Sequence, residues 1–328
     1  MFVEVPKEDG FMKRVWALLM CLALAIAPVQ ASAGADEFCI LTSFYPMYLL
    51  TINVAGGIDG VRVDNMAQQN VGCLHDYTLR TGDMRMIHAV DVVVINGAGM
   101  EGFVDTIISD QRKPVVDASE GIDLIIDGEA HADHDAADAD HADESADAHA
   151  AHTHSDVNAH IWMSPRQAIK QVENIARGLS AQDPDHADAY QRNAQDYIAR
   201  LEQLDAQVTE LLSDVQGAKI VTSHPAFEYL ARDYGLDIVA SLGQEPGQMP
   251  RTRDMARLVD TVRDMDIKAL FVEKAYSEKA AEVLSRETGV SIYALDSLTS
   301  GELTPDAYEQ GILSDAMTLR EALVDGNT

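Results

Sequence analysis

The chain has 328 residues, 54 of them Asp or Glu against 24 Lys or Arg, for a formal charge of −30 at pH 7. That length holds one large domain or two medium ones. The charge excludes nucleic acid and anionic membrane surfaces as partners and suits a protein that attracts cations.

Residues 1–33 read as an address. Met12-Lys13-Arg14 is a basic region, Val15 to Val29 an apolar run, and Ala31-Ser32-Ala33 a small-residue cleavage site, the pattern of a secretory signal peptide. The apolar run is too short for a comfortable membrane span. Residues 1–11 are polar ahead of it, so Met12 is an alternative start. Cys21 has no small residues before it, and no lipid-anchor motif is evident. The mature chain then begins near Gly34 in the periplasm. In that oxidising compartment Cys39 and Cys73 are able to pair if the fold brings their Cα atoms into range.

Phe38–Phe44 predicts a buried strand, Pro46–Val54 a helix ended by Gly56-Gly57, and Gly60–Met66 a second strand. Gly82–His88 predicts a short helix and Val90–Ile95 a third strand, stopped by Asn96-Gly97. Strands alternating with helices imply a parallel sheet. Residues 127–156 then hold six histidines and ten carboxylates with almost nothing that packs. The histidines are His131, His134, His141, His149, His152 and His154. Seven of the chain's 11 histidines lie between His131 and His160, which favours metal capture over a merely solvated acidic loop.

Ser164-Pro165 reads as an N-cap with proline at the first helical position, opening a helix to about Leu179. Asp183-Pro184 repeats that signal. Tyr190, Ala194, Tyr197, Leu201, Leu204, Val208 and Leu211 follow on one face of a helix of roughly 28 residues, about 42 Å long. The alternation then resumes with strands at Ala218–Thr222, Asp237–Leu242, Ala269–Val272 and Ser291–Leu295. Helices are predicted at Ala226–Tyr234, Arg251–Met265, Ser277–Thr288 and Tyr308–Val324. The expected fold is therefore α/β, with two lobes, each a parallel sheet flanked by helices, bridged by one long rigid helix. The N-terminal lobe is 34–182 with the His/Asp-rich loop 127–156, the linking helix 183–216, and the C-terminal lobe 217–328. No glycine loop for phosphate is present and no sequence repeat is evident.

In open parallel sheets, ligands bind beyond the carboxyl ends of the strands. His75, His160, His224 and Asp296 all fall in such loops. Each alone has a plain structural reading as a solvated histidine or a turn cap. Together, three imidazoles and one carboxylate make a complete tetrahedral zinc set, and imidazoles argue against magnesium or calcium.

These residues also carry a resemblance. Ser43-Phe44-Tyr45-Pro46, His75-Asp76-Tyr77, Asn96-Gly97-Ala98-Gly99-Met100-Glu101, His160-Ile161-Trp162-Met163-Ser164-Pro165 and Ser223-His224-Pro225-Ala226-Phe227 together resemble the zinc-type solute-binding proteins of metal ABC transporters. The resemblance runs from about Phe38 to the C-terminus and includes the acidic His-rich insertion. It implies one Zn²⁺ held in the cleft by His75, His160, His224 and Asp296, with Glu273 as runner-up for the fourth ligand. The zinc is cargo rather than a catalytic cofactor, delivered to the membrane permease of a zinc ABC transporter by a monomer. In similar manganese-type relatives the third position is a carboxylate, so His224 favours zinc. The segment Asn70-Val71-Gly72-Cys73-Leu74 departs from the Pro/Gly-rich loop of many relatives and leaves Cys73 as a further thiolate candidate.

Three other readings compete. A manganese or other divalent-metal binding protein would share the architecture. A surface adhesin would show an anchoring cysteine or an exposed patch. A secreted zinc hydrolase needs an open metal position and a general base. No His-Glu-x-x-His helix is present to supply them.

Overall fold

Runs of β-branched and aliphatic residues too short to be helices alternate here with amphipathic segments, and the chain sorts them into two separate parallel sheets. The computed structural model describes residues 37–67, 77–103, 113–126, 157–243, 249–265, 267, 269–274 and 279–325. The expected signal peptide, His75, Cys73 and the whole His/Asp-rich tract lie outside these residues.

The N-terminal sheet holds β1 (Phe38–Thr42), β2 (Val61–Asn65), β3 (Val92–Ile95) and β4 (Val115–Asp117), in the spatial order β2-β1-β3-β4 and parallel throughout. The C-terminal sheet holds β5 (Lys219–Thr222), β6 (Asp237–Ser241), β7 (Ala269–Glu273) and β8 (Ser291–Leu295), in the order β6-β5-β7-β8 and again parallel. Central strands of parallel sheets are covered on both faces, and β3 and β7 are accordingly buried along their whole length. Each lobe thus repeats the same winding, although no repeat shows in the sequence. In each sheet the chain reverses direction of winding between the first and third strands. Those two switch points, at the ends of β1 and β3 and of β5 and β7, are where ligand crevices form.

The helices are α1 (Tyr45–Ala55), α2 (Thr81–Ala89), α3 (Pro165–Gln182), α4 (Ala187–Leu212), α5 (Glu228–Tyr234), α6 (Thr252–Asp264), α7 (Lys279–Thr288) and α8 (Ala307–Asp325). The long helix is α4, 26 residues and so about 39 Å. Its buried stripe is Tyr190, Ala194, Tyr197, Leu201, Leu204, Val208 and Leu212, the expected face except that the last anchor is Leu212. It packs on α1 and α3 from the first half and on α8 from the second. Asp183-Pro184 opens a 3-10 turn at Pro184–His186 before α4 begins.

Most element ends fall within a residue or two of expectation, with two informative differences. The strand β4 has three residues, too short to leave a periodic trace. Ser164 precedes α3 with Pro165 in the first turn, but its side chain does not cap the helix. Its hydroxyl instead donates to Asp233 Oδ2 at 2.5 Å, where Gln167 Nε2 also donates at 2.6 Å. Burial alone would raise Asp233, but these two donors and Arg232 hold its carboxyl below its ordinary value. A helix-start signal has become a tie between the lobes.

Other ties cross the same boundary. Tyr308 Oη donates at 2.7 Å to the carbonyl of Trp162, whose ring meets Phe44 of the same lobe edge to face at 5.1 Å, and Tyr45 Oη donates to the Glu302 carbonyl at 2.6 Å. A Cβ on Gly301 would lie 2.6 Å from that Tyr45 hydroxyl, so the close approach requires glycine. The apolar side chains of α1, α3, α4, α8, the first sheet and one face of the second form one continuous core, and the other face of the second sheet packs under α6 and α7 as a separate cluster.

Glu101 secures the loops after β1 and β3. It is 4% exposed, and it accepts from Ser43 Oγ at 2.7 Å, Asn96 N at 2.7 Å and Gly97 N at 3.0 Å. Burial nonetheless outweighs these donors and pushes its carboxyl up to about 7 from 4.5. A carboxyl raised by folding holds its proton in the native state after the unfolded chain has lost it, so its contribution is complete below the unfolded pKa and fades as pH climbs towards 7. Each pH unit in that window costs about 1.4 kcal/mol, roughly 3 kcal/mol in all. The metal-free protein should therefore lose thermal stability from pH 4.5 to 7. Glu101→Gln, which cannot titrate and turns a donor towards Gly97 N, should melt lower at pH 5 but with a flatter pH dependence. Parallel melting curves of the two proteins against pH would refute this.

Candidate metal centre

Pro225 biases the residue before it to extended backbone, and His224 sits at φ −155°, ψ 149°. This carries the chain on in extended form past the end of β5, so that His224 lies beyond the sheet just before the 3-10 turn Pro225–Phe227. His160 follows Asn158-Ala159 and leads into a 3-10 turn, Ile161–Met163, ahead of α3. Both imidazoles are buried, 2% exposed for His160 and 1% for His224. Their Nε2 atoms stand 3.0 Å apart, and the rings meet at 82° with centroids 4.7 Å apart. Two imidazoles on one tetrahedral zinc at ordinary bond lengths place their nitrogens about 3.3 Å apart. The pair is therefore set for one cation, or one proton, between them.

The carboxylates approach from β7 and β8. Glu273 is the last residue of β7, whereas the sequence places it just after that strand. The pairing of Val221 with Leu270 and Thr222 with Phe271 brings the end of β7 beside the segment that leads from β5 to His224. Glu273 N accordingly donates to Ser223 Oγ at 3.3 Å. The side chain is 1% exposed, and among the described residues neither carboxylate oxygen makes a well-formed hydrogen bond, although the Ser297 side chain lies near enough to favour its ionised form. Burial pushes its carboxyl up to about 7, opposed by Ser297 and reinforced by the charge of Asp296. Buried polar atoms without well-formed hydrogen bonds call for an explanation, and a bound cation supplies one, because it would draw the carboxyl to its ionised form.

Asp296 follows β8 and is only half-buried. Its Oδ1 accepts from Leu298 N at 2.9 Å, and its Oδ2 lies 3.7 Å from Lys274 Nζ. It therefore also does the turn-capping work that its position suggested. Leu298 takes φ +52°, a left-handed conformation that this aspartate stabilises locally. The Asp296 backbone N donates in turn to buried Asp315 Oδ1 at 2.9 Å. Trp162 Nε1 donates to the Ser297 carbonyl at 2.9 Å, tying the segment after His160 to the segment after Asp296.

The structure thus brings His160 to His224 and places Glu273 and Asp296 on neighbouring strand ends. Sequence reading did not single out Asn158, Ser297 or Asp315, which hold these segments in place. Trp162 was visible within its motif but not as a hydrogen-bond donor.

A family model, the periplasmic zinc-uptake complex component A (ZnuA), matches residues 40–322. The zinc-binding lipoprotein AdcA of Streptococcus pneumoniae (strain ATCC BAA-255 / R6) is 32% identical over 295 residues, 88% of this chain and 56% of AdcA. This chain therefore spans little more than half the length of that relative. The high-affinity zinc uptake system protein ZnuA of Bacillus subtilis (strain 168) is 31% identical over 286 residues, covering 86% of this chain and 85% of the relative. Among solved structures, the SBP FpvC from Pseudomonas aeruginosa in complex with Mn²⁺ superposes with a TM-score of 0.74 at 27% identity, over 88% of this chain and 99% of that one.

Proposed function

The chain belongs to the family of the periplasmic zinc-uptake component A, and from that premise we propose that it captures Zn²⁺ between its lobes outside the cytoplasm and delivers it to the membrane permease of an ABC transporter. The observation that carries this reading is the 3.0 Å approach of two buried Nε2 atoms, one from each half of the chain. His75, His160, His224 and Asp296 are the proposed ligands. Glu273 competes for the fourth position, supported by two buried oxygens that make no well-formed hydrogen bond among the described residues. Three imidazoles favour zinc over manganese, which suits carboxylate and water ligands better. A closed four-coordinate ion leaves no position for a reactive water, so the protein carries its metal rather than catalysing with it. Among the described residues no helix is long and apolar enough to cross a membrane. Because α4 braces both lobes and they share a core, release proceeds by small lobe shifts.

The tract containing His131, His134, His141, His149, His152 and His154 serves as an auxiliary scavenger. Ordering its ligands costs entropy, so each ion binds there more weakly than in the cleft. Its two flanks are already paired: Ile126 bridges Val157 in antiparallel fashion, and Asn158 N donates to the Ile125 carbonyl at 2.8 Å. Deleting residues 127–156 and closing the gap with a short glycine linker should leave the fold and the cleft intact. Calorimetric zinc titration should show one tight event plus weaker ones in the full chain, and the tight event alone in the deletion. Loss of tight binding in a deletion variant that still folds would place the primary site in the tract and overturn the cleft reading.

A further inference from the structure

Beside the two imidazoles, every polar atom of Asn158 is engaged. It is 3% exposed. Its backbone N donates to the Ile125 carbonyl at 2.8 Å, and its carbonyl accepts from Tyr229 Oη at 2.8 Å. The side-chain Nδ2 donates to the Pro225 carbonyl at 2.7 Å and to Glu228 Oε2 at 2.9 Å. Its Oδ1 faces His160 N at 2.9 Å and His160 Nδ1 at 2.9 Å.

The orientation of this amide follows from its partners. A carbonyl and a carboxylate only accept, so the amide NH₂ must face Pro225 and Glu228. The opposite atom is then the oxygen, and it faces a backbone N–H and the imidazole Nδ1. An oxygen at 2.9 Å requires a proton on Nδ1, which leaves the lone pair of a neutral imidazole on Nε2. That is the atom 3.0 Å from His224 Nε2. We propose that Asn158 is the positioning residue of the metal centre: it sets the His160 tautomer through Oδ1 while its Nδ2 holds the Pro225 carbonyl immediately after His224. One side chain thus presents the lone pair of one ligand and fixes the backbone of the other across the two lobes. Groups that orient ligating imidazoles in this way typically change metal affinity by about 10- to 100-fold when removed.

This deepens the zinc reading and rests on His160 being a ligand, but its first test needs no metal. Long-range ¹⁵N–¹H correlation spectra of the zinc-free full chain should show the Nδ1–H tautomer at His160. Asn158→Leu keeps the volume and removes both functions. It should shift His160 towards the Nε2–H tautomer and weaken zinc, in competition with a chelator of known affinity, by roughly 10- to 100-fold. Asn158→Asp keeps the acceptor but loses the donor to Pro225 and Glu228. It should keep the Nδ1–H tautomer and recover part of the affinity. Nε2–H at His160 in the wild type, or an unchanged tautomer in a folded Asn158→Leu protein, would overturn the proposal. If the tautomer shifts as described and zinc affinity does not move, the positioning of the ring stands and the assignment of His160 as a ligand falls.

Discussion

His224→Ala should weaken Zn²⁺ binding by more than about 100-fold, because loss of a group that merely orients a ligand already costs roughly 10- to 100-fold and this removes a proposed ligand outright. In free energy that exceeds about 2.7 kcal/mol. The substitution takes away the ring that stands 3.0 Å from His160 Nε2, so the remaining imidazoles lose the geometry that closes a four-coordinate shell. Competition against a chelator of known affinity reads the effect, with a melting curve of the zinc-free variant to confirm that it folds. Wild-type affinity in a folded His224→Ala protein would remove this residue from the site. The same titration on Asp296→Asn and Glu273→Gln assigns the fourth position. Asp296 already serves Leu298 N and neighbours Lys274, whereas among the described residues both Glu273 oxygens lack a well-formed hydrogen bond. The variant with the larger loss identifies the carboxylate ligand.

Zinc should also raise the melting temperature by roughly 10 °C. A ligand that binds only the native state stabilises it by about 4 kcal/mol at a thousandfold excess over Kd, and for a protein of this size each kcal/mol moves Tm by about 2–4 °C. The expectation has a structural basis beyond mass action. A cation at His160 and His224 would join the segment before α3 to the turn after β5. It would also favour the ionised form of Glu273, which burial otherwise disfavours. Scanning calorimetry with chelator, then after restoring zinc, should show a fall and a full recovery. A Tm that ignores both treatments would contradict a cleft site formed by the folded lobes.

The local features of this protein were legible in its sequence because their causes are local. Apolar runs such as Val92–Ile95 report a buried strand without knowledge of its neighbours, and spacings of three and four along α4 report the face it buries. Pro225 sets the backbone of His224, and the strand-to-helix alternation sets the α/β class. The histidines at strand ends were visible for the same reason. Other features depended on tertiary structure. Val115–Asp117 is a strand because β3 lies beside it, not because three residues prefer that state. Ser164 carries a capping signal, yet Asp233 of the other lobe takes its hydroxyl. Asn158 has no local mark of importance, since its role comes from Pro225 and Glu228, 67 and 70 residues away in the chain. The approach of His160 to His224, separated by 64 residues, follows from how two sheets with the same strand order pack around one core. Periodicity within a segment carries no information about such distances, because they are set by which surfaces bury one another.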